Sequence, residues 1–132
     1  ISYIMMDANN LKTINDTLGH NKGDELIITI AKCMRKAVGH NGQCYRIGGD
    51  EFVIILKNKT AAETEEIINK VRCEIEFADK QSDITISVAI GYVWTDTEQK
   101  NLEDLMQHAD DEMYQDKKKT KENKSKENTH SI

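Results

Sequence analysis

No apolar run in this 132-residue sequence approaches the roughly 20 residues that a membrane-spanning helix requires. A transmembrane segment is therefore excluded from this stretch, and nothing in its first residues has the pattern of a signal peptide. Cysteine is also scarce. Cys33, Cys44 and Cys73 are odd in number, widely spaced and set in apolar segments, which argues against a disulfide framework or a cysteine metal site. The expectation is buried, reduced thiols in a cytosolic domain. A basic face is lacking as well. Residues 117–132 hold six lysines and two glutamates, which leaves 12 basic and 21 acidic residues, a balance of −9, in the other 116. An acidic body argues against a general nucleic-acid binder. There is no internal repeat and no sign of a second domain. The length suits one domain, which buries roughly two-thirds of its unfolded surface.

What is present centres on Arg46-Ile47-Gly48-Gly49-Asp50-Glu51-Phe52. Gln43 to Ile47 predicts a short strand, and the continuous apolar run Phe52 to Leu56 predicts a buried one. The two glycines between them allow the positive φ angles of a tight hairpin and leave no side chain in a ligand's way. Two carboxylates follow on a turn that a core hairpin does not need. Mutual repulsion makes a metal ion or ligand the better explanation for them.

The remainder alternates regularly. Ile1 to Met6 predicts a strand entered without a preceding turn, as expected of a piece of a larger protein. Asn9 and Asn10 are candidate N-caps for a helix over 11–18, and Gly19 supplies its stop. A second helix is predicted over 24–38, with Leu26, Ile27, Ile30, Ala31, Met34 and Val38 as its apolar stripe and Gly39 as its end. Thr60 and Glu63 form a capping-box signature for a helix to about Ala78, whose Ile67, Ile68, Val71 and Ile75 face the core. Residues 84–94 predict a strand interrupted by Gly91. A last helix from Leu102 uses Leu105, Met106, Ala109 and Met113. Beyond Tyr114 the sequence turns Lys-, Glu- and Asn-rich, which predicts fraying into a solvated tail.

The order β-α-α-β-β-α-β-α predicts an α+β (α/β sandwich) fold: a mostly antiparallel central sheet with a ferredoxin-like βαββαβ core plus extra helices. In that topology the first and third strands are antiparallel neighbours at the centre. Asp7, at the end of one, then meets Asp50 and Glu51 at the start of the other. Magnesium favours a few carboxylate oxygens completed by substrate phosphates, and this cluster could supply the carboxylates.

The ordered blocks Asp7-Ala8-Asn9-Asn10-Leu11-Lys12-Thr13-Ile14-Asn15-Asp16, Gly19-His20, Gly23-Asp24, Gly48-Gly49-Asp50-Glu51-Phe52 and Ala109-Asp110, Met113-Tyr114, Lys117 resemble the diguanylate cyclase family, whose signature is GGDEF. The resemblance covers residues 1–121 and leaves 122–132 as a disordered tail. It implies a cytoplasmic, Mg2+- or Mn2+-dependent nucleotidyltransferase that condenses two GTP into cyclic di-GMP with release of pyrophosphate. It also implies a homodimer in which each copy presents one nucleotide to the other, an upstream sensory or regulatory domain, and no nucleic-acid or membrane contact by this segment.

Carried over by position, the resemblance implies that Asp7, the backbone carbonyl of Ala8 and Asp50 hold the metal. Glu51, with Asp50, serves the chemistry at the metal or at the attacking 3′-hydroxyl. Asn15 and Asp24 read guanine: a carboxylate can accept from guanine's N1–H and exocyclic amine, a donor pair that adenine lacks. Asn10, Leu11, Lys12, His20, Gly48, Gly49, Lys117 and Lys121 surround the phosphates, partly through backbone amides at a helix N-terminus. Lys121 stands where the family more often has arginine, which keeps the charge and weakens a bidentate grip. Asn9 replaces a frequent aspartate and Leu11 a frequent phenylalanine, and the helix and turn that usually precede the first strand are missing. The family's inhibitory Arg-x-x-Asp falls on Gly39 and Gly42, so no product feedback is expected there. A catalytically silent GTP-binding module that controls a neighbouring domain is the alternative, and an interaction domain retaining only the fold is a weaker third.

Overall fold

The computed structural model describes residues 1–96 and 102–130 and follows the predicted order of elements. Strand β1 (Ser2–Ala8) leads into helices α1 (Leu11–Leu18) and α2 (His20–Val38), then a 3-10 turn at Gly39–Asn41. Next come β2 (Gly42–Arg46), β3 (Glu51–Leu56), α3 (Ala61–Gln81), β4 (Val88–Trp94) and α4 (Leu102–His130). The strands form an antiparallel sheet in the order β2-β3-β1-β4, so β1 and β3 are the central pair, as the topology argument requires. No helix among the described residues is long and apolar enough to cross a membrane.

Strand alternation divides the core in two. Ile4, Met6 and Ala8 of β1, with Phe52, Ile54 and Leu56 of β3, pack against Leu26, Ile30, Val38, Ile67, Val71 and Ile75 of α2 and α3. Each such side chain, fully buried, contributes about 1.5–3 kcal/mol relative to exposure. The intervening Met5 and Val53 point to the other face, where with Ala89 they meet Ala109 and Met113 of α4. Asp7 and Glu51 share the parity of Met5 and Val53, so both acidic residues belong to the α4 face.

Local chemistry fixes the joints. Thr60 and Glu63 form the predicted capping box, with Glu63 N donating to Thr60 Oγ1 at 3.1 Å and Thr60 N to Glu63 Oε1 at 3.0 Å. Gly19, at φ 93°, makes the elbow between α1 and α2. Its carbonyl accepts from Lys22 N and Gly23 N, so α2 starts at His20, four residues before the predicted Asp24. Asn10 does precede α1, but in left-handed backbone (φ 68°) and without a side-chain cap bond.

The structure corrects other expectations. β4 begins at Val88 rather than Ile84, because Ile84 N and Ile86 N donate to Ser82 Oγ and Asp79 Oδ1 instead of to a neighbouring strand. Gly91 does not interrupt β4. A Cβ there would stand 2.1 Å from Ala109 O and 2.2 Å from Met113 N, so the glycine is what lets α4 lie against the strand. Gly48 and Gly49 are not among the glycines with positive φ. Cys33 is buried, but Cys73 is exposed on α3.

Helix α4 runs to His130, past Tyr114, where composition predicts fraying. Its Lys- and Glu-rich segment has good helix formers and neither glycine nor proline to stop it. Residues 131–132 and the side chains of Leu105 and Lys121 lie outside what is described. Towards its middle, α4 also closes an edge of the sheet. Asp116 Oδ2 accepts from Ile90 N at 2.8 Å, and Glu112 Oε2 from Tyr92 N at 3.2 Å.

Candidate functional site

The central strand pair places the acidic residues together. Asp7 is in register with Glu51 across the β1–β3 ladder and with Ala89 across the β1–β4 ladder. Beyond the ladder, Ala8 N donates to Asp50 O at 2.8 Å, which fastens the end of β1 to the hairpin. The hairpin is closed from within: Ile47 N donates to Glu51 O at 3.0 Å. Arg46 clamps it from outside, through Nε to Gly48 O at 3.1 Å and a guanidinium nitrogen to Gly49 O at 2.6 Å.

Neither glycine is in left-handed backbone. A Cβ at Gly49 would meet nothing within 4 Å, and one at Gly48 would lie 3.4 Å from Glu51 Oε2, so no neighbouring group crowds either position. Arg46 was not singled out from sequence. Its position directly before the turn was the available signal, since the carbonyls it meets lie only two and three residues on.

Asp7 is the most perturbed of these groups. Its side chain is 14% exposed. Burial, and then the adjoining Asp50 carboxyl, push its pKa up to about 6, against the lowering pull of Lys117. Lys117 Nζ, from α4, donates to Asp7 Oδ2 at 3.1 Å. The other oxygen, Asp7 Oδ1, is buried with no hydrogen-bond partner. A partnerless carboxylate oxygen beside a second carboxylate is costly unless something cationic completes it. The pair therefore fits a hard divalent cation. Among the described residues no three acidic, histidine or cysteine side chains converge on one point. Two carboxylates alone leave most of a magnesium ion's octahedral shell to other oxygen donors.

The proposed base-reading residues flank the elbow between α1 and α2. Asn15 lies over Gly23 so closely that a Cβ on Gly23 would fall 1.7 Å from its Oδ1. Asp24 is the next residue and is exposed. Leu11 reaches the same glycine, with Cδ1 3.3 Å from that Cβ position, so its side chain packs and only its backbone faces the turn. Lys12 and His20 are exposed. Asn9 was noted in the sequence only as a departure and a candidate cap. It is 5% exposed and ties the β1–α1 turn to the approach of β4, through N to Ser87 O at 2.9 Å and Nδ2 to Ser87 Oγ at 2.8 Å.

Residues 1–123 match the family model described as "Diguanylate cyclase, GGDEF domain". The signalling protein YkoW of Bacillus subtilis is 38% identical over 120 residues, 88% of this chain and 15% of that protein. The diguanylate cyclase DosC of Escherichia coli is 32% identical over 118 residues, 86% of this chain and 25% of that protein. The chain thus spans a quarter or less of the length of these relatives. Among solved structures, the active GGEEF domain of a diguanylate cyclase from Vibrio cholerae superposes with a TM-score of 0.79 at 28% identity, covering 89% of this chain and 76% of that one.

Proposed function

This chain belongs to the diguanylate cyclase GGDEF domain family, and from that premise we propose that it joins two GTP molecules into cyclic di-GMP. The observation that carries this reading is the pairing of Asp7 with the Gly48-to-Glu51 hairpin: a buried carboxylate with a partnerless oxygen, in register with Glu51 and next to Asp50. A catalytically silent GTP-binding module would use the same metal ligands, but it has no need of Glu51, the acid that serves the attacking hydroxyl.

Each residue then has a task. Asp7, Asp50 and the carbonyl of Ala8 hold Mg2+, which supplies charge stabilisation at the phosphates when bound. Glu51 accepts the proton of the 3′-hydroxyl. That oxygen forms a bond to the α-phosphorus of the other GTP, and the bond to pyrophosphate breaks. Asn15 and Asp24 bind the guanine edge, and leaving Asp24 unpaired is what disfavours adenine. Lys12, the backbone at Asn10 and Leu11, and the uncrowded Gly48 and Gly49 accommodate the phosphates, with His20 at the side and Lys117 and Lys121 approaching from α4. Two steps around a ring need two nucleotides facing each other, hence a second copy of the domain. The greater length of the relatives agrees with a neighbouring domain that brings two copies together.

Incubating the chain with GTP and Mg2+, dimerised by a fused coiled coil, should yield a cyclic dinucleotide detectable by chromatography. Asp50→Ala should abolish it. Tight GTP binding without product in both proteins favours the regulatory reading, and no Mg2+-dependent GTP binding overturns both.

A further inference from the structure

The Lys117 ammonium is paired with a carboxylate of the candidate site. It donates to Asp7 Oδ2 at 3.1 Å across 110 positions of sequence. The two side chains are 34% and 14% exposed, so the pair is shielded more than an ordinary surface bridge. Helix α4 is held against β4 by the close approach at Gly91 and by the Asp116 and Glu112 bonds to Ile90 N and Tyr92 N, which fixes where Lys117 can reach. The Asp7 carboxyl is met by Asp50 and Lys117, with Glu51 opposite in the ladder. Lys117 is therefore the cation on this acidic group among the described residues. An ammonium and a divalent ion on one carboxylate repel each other.

We propose that Lys117 is the resident counter-ion of Asp7 in the metal-free chain, and that a cation binding there displaces its ammonium towards the phosphates that arrive with it. The inference rests on the reading of Asp7 as a metal ligand. It adds an order of events. A bare cation must evict the ammonium with no compensation, whereas a cation carried by a nucleoside triphosphate gives the evicted ammonium a new anionic partner. The site is thereby selective for the metal–nucleotide complex over the free ion.

Mn2+ titrated into the whole chain without nucleotide, followed by the electron paramagnetic resonance signal of the free ion, tests this. Lys117→Gln should bind Mn2+ roughly three- to tenfold more tightly than the unaltered chain, the range expected for removing one partly shielded competing charge. Lys117→Arg, which keeps the charge, should stay close to the unaltered chain, and Asp7→Asn should lose the site. Adding GTP should tighten Mn2+ binding less in Lys117→Gln than in the unaltered chain. If Lys117→Gln binds no more tightly while Asp7→Asn still loses binding, the displacement is wrong and the metal assignment stands. If Asp7→Asn binds like the unaltered chain, the metal assignment fails and takes the displacement with it. Circular dichroism of each variant verifies that α4 is intact.

Discussion

On one face of the sheet three helices bury a broad core that includes Ile4, Phe52, Leu26, Ile30 and Val71, while on the other, among the described residues, Ala109, Met113 and the partly buried Met106 of a single helix pack with Met5, Val53 and Ala89. The candidate site straddles this difference. Asn15 and Asp24 stand on α1 and α2, elements of the well-buried face. Asp7 and Glu51 have the parity of the thin face, and Lys117 belongs to its one helix. Local stability follows the amount of buried apolar contact. The two residues proposed to read the base stand on helices of the broad core, and the Lys117 ammonium that meets Asp7 is carried by the helix of the other face. Specific contacts help to hold α4: a glycine that admits its backbone, two carboxylates on strand N–H groups, and an ion pair between Arg72 and Asp116 at 3.5 Å.

The contrast can be broken from either side. Ile30→Ala, at a fully buried position of the broad core, should cost about 2–5 kcal/mol and move the whole urea transition to lower concentration. Gly91→Ala forces a methyl towards Ala109 O and Met113 N. It should cost about 1–3 kcal/mol and accelerate amide exchange in α4 while α2 and α3 keep their protection. Equal loss of protection in all three helices would mean that the faces do not act separately. Thr60→Ala removes the capping box of α3 and should lower stability by about 1 kcal/mol without altering Mn2+ affinity.

The smallest effect concerns pH. Because the folded pKa of Asp7 is raised from 3.8 to about 6, its contribution to stability is full below pH 4 and is lost as pH rises through 6. Without divalent ions the melting temperature should carry a downward component over that window, worth about 1 kcal/mol at a screened rim. Saturating Mg2+ should remove it, since the ion favours the ionised carboxylate. A component of the same size in Asp7→Asn would assign it to another group.

Much of this was legible in the sequence because it rests on short-range rules. The stripes of α2 and α3, the Thr60–Glu63 box and the run Phe52 to Leu56 each declare an element through periodicity or capping. The β1–β3 pairing then follows from topology, and it brings Asp7 to the hairpin. What was misread depended on partners that periodicity does not reveal, whether near or far in sequence. Gly91 looked like an interruption because the helix that needs its bareness comes eighteen residues later, at Ala109. Ile84 and Ile86 alternate as a strand does, yet side-chain oxygens of Ser82 and Asp79 take their N–H groups. The hairpin glycines allowed the positive φ of a tight turn, yet neither adopts it. Lys117 was read as a phosphate ligand, and its grip on Asp7 could not be seen without the fold.

The two carboxylates that α4 lays along β4 also govern how the molecule behaves in a crowd. An outermost strand with bare N–H groups invites a strand from another molecule to extend the sheet, the first step towards fibrous assembly. With Ile90 and Tyr92 already spoken for, self-templating from that border first requires Asp116 and Glu112 to let go. Replacing both acids by alanine should therefore leave a chain that folds, yet clouds on warming.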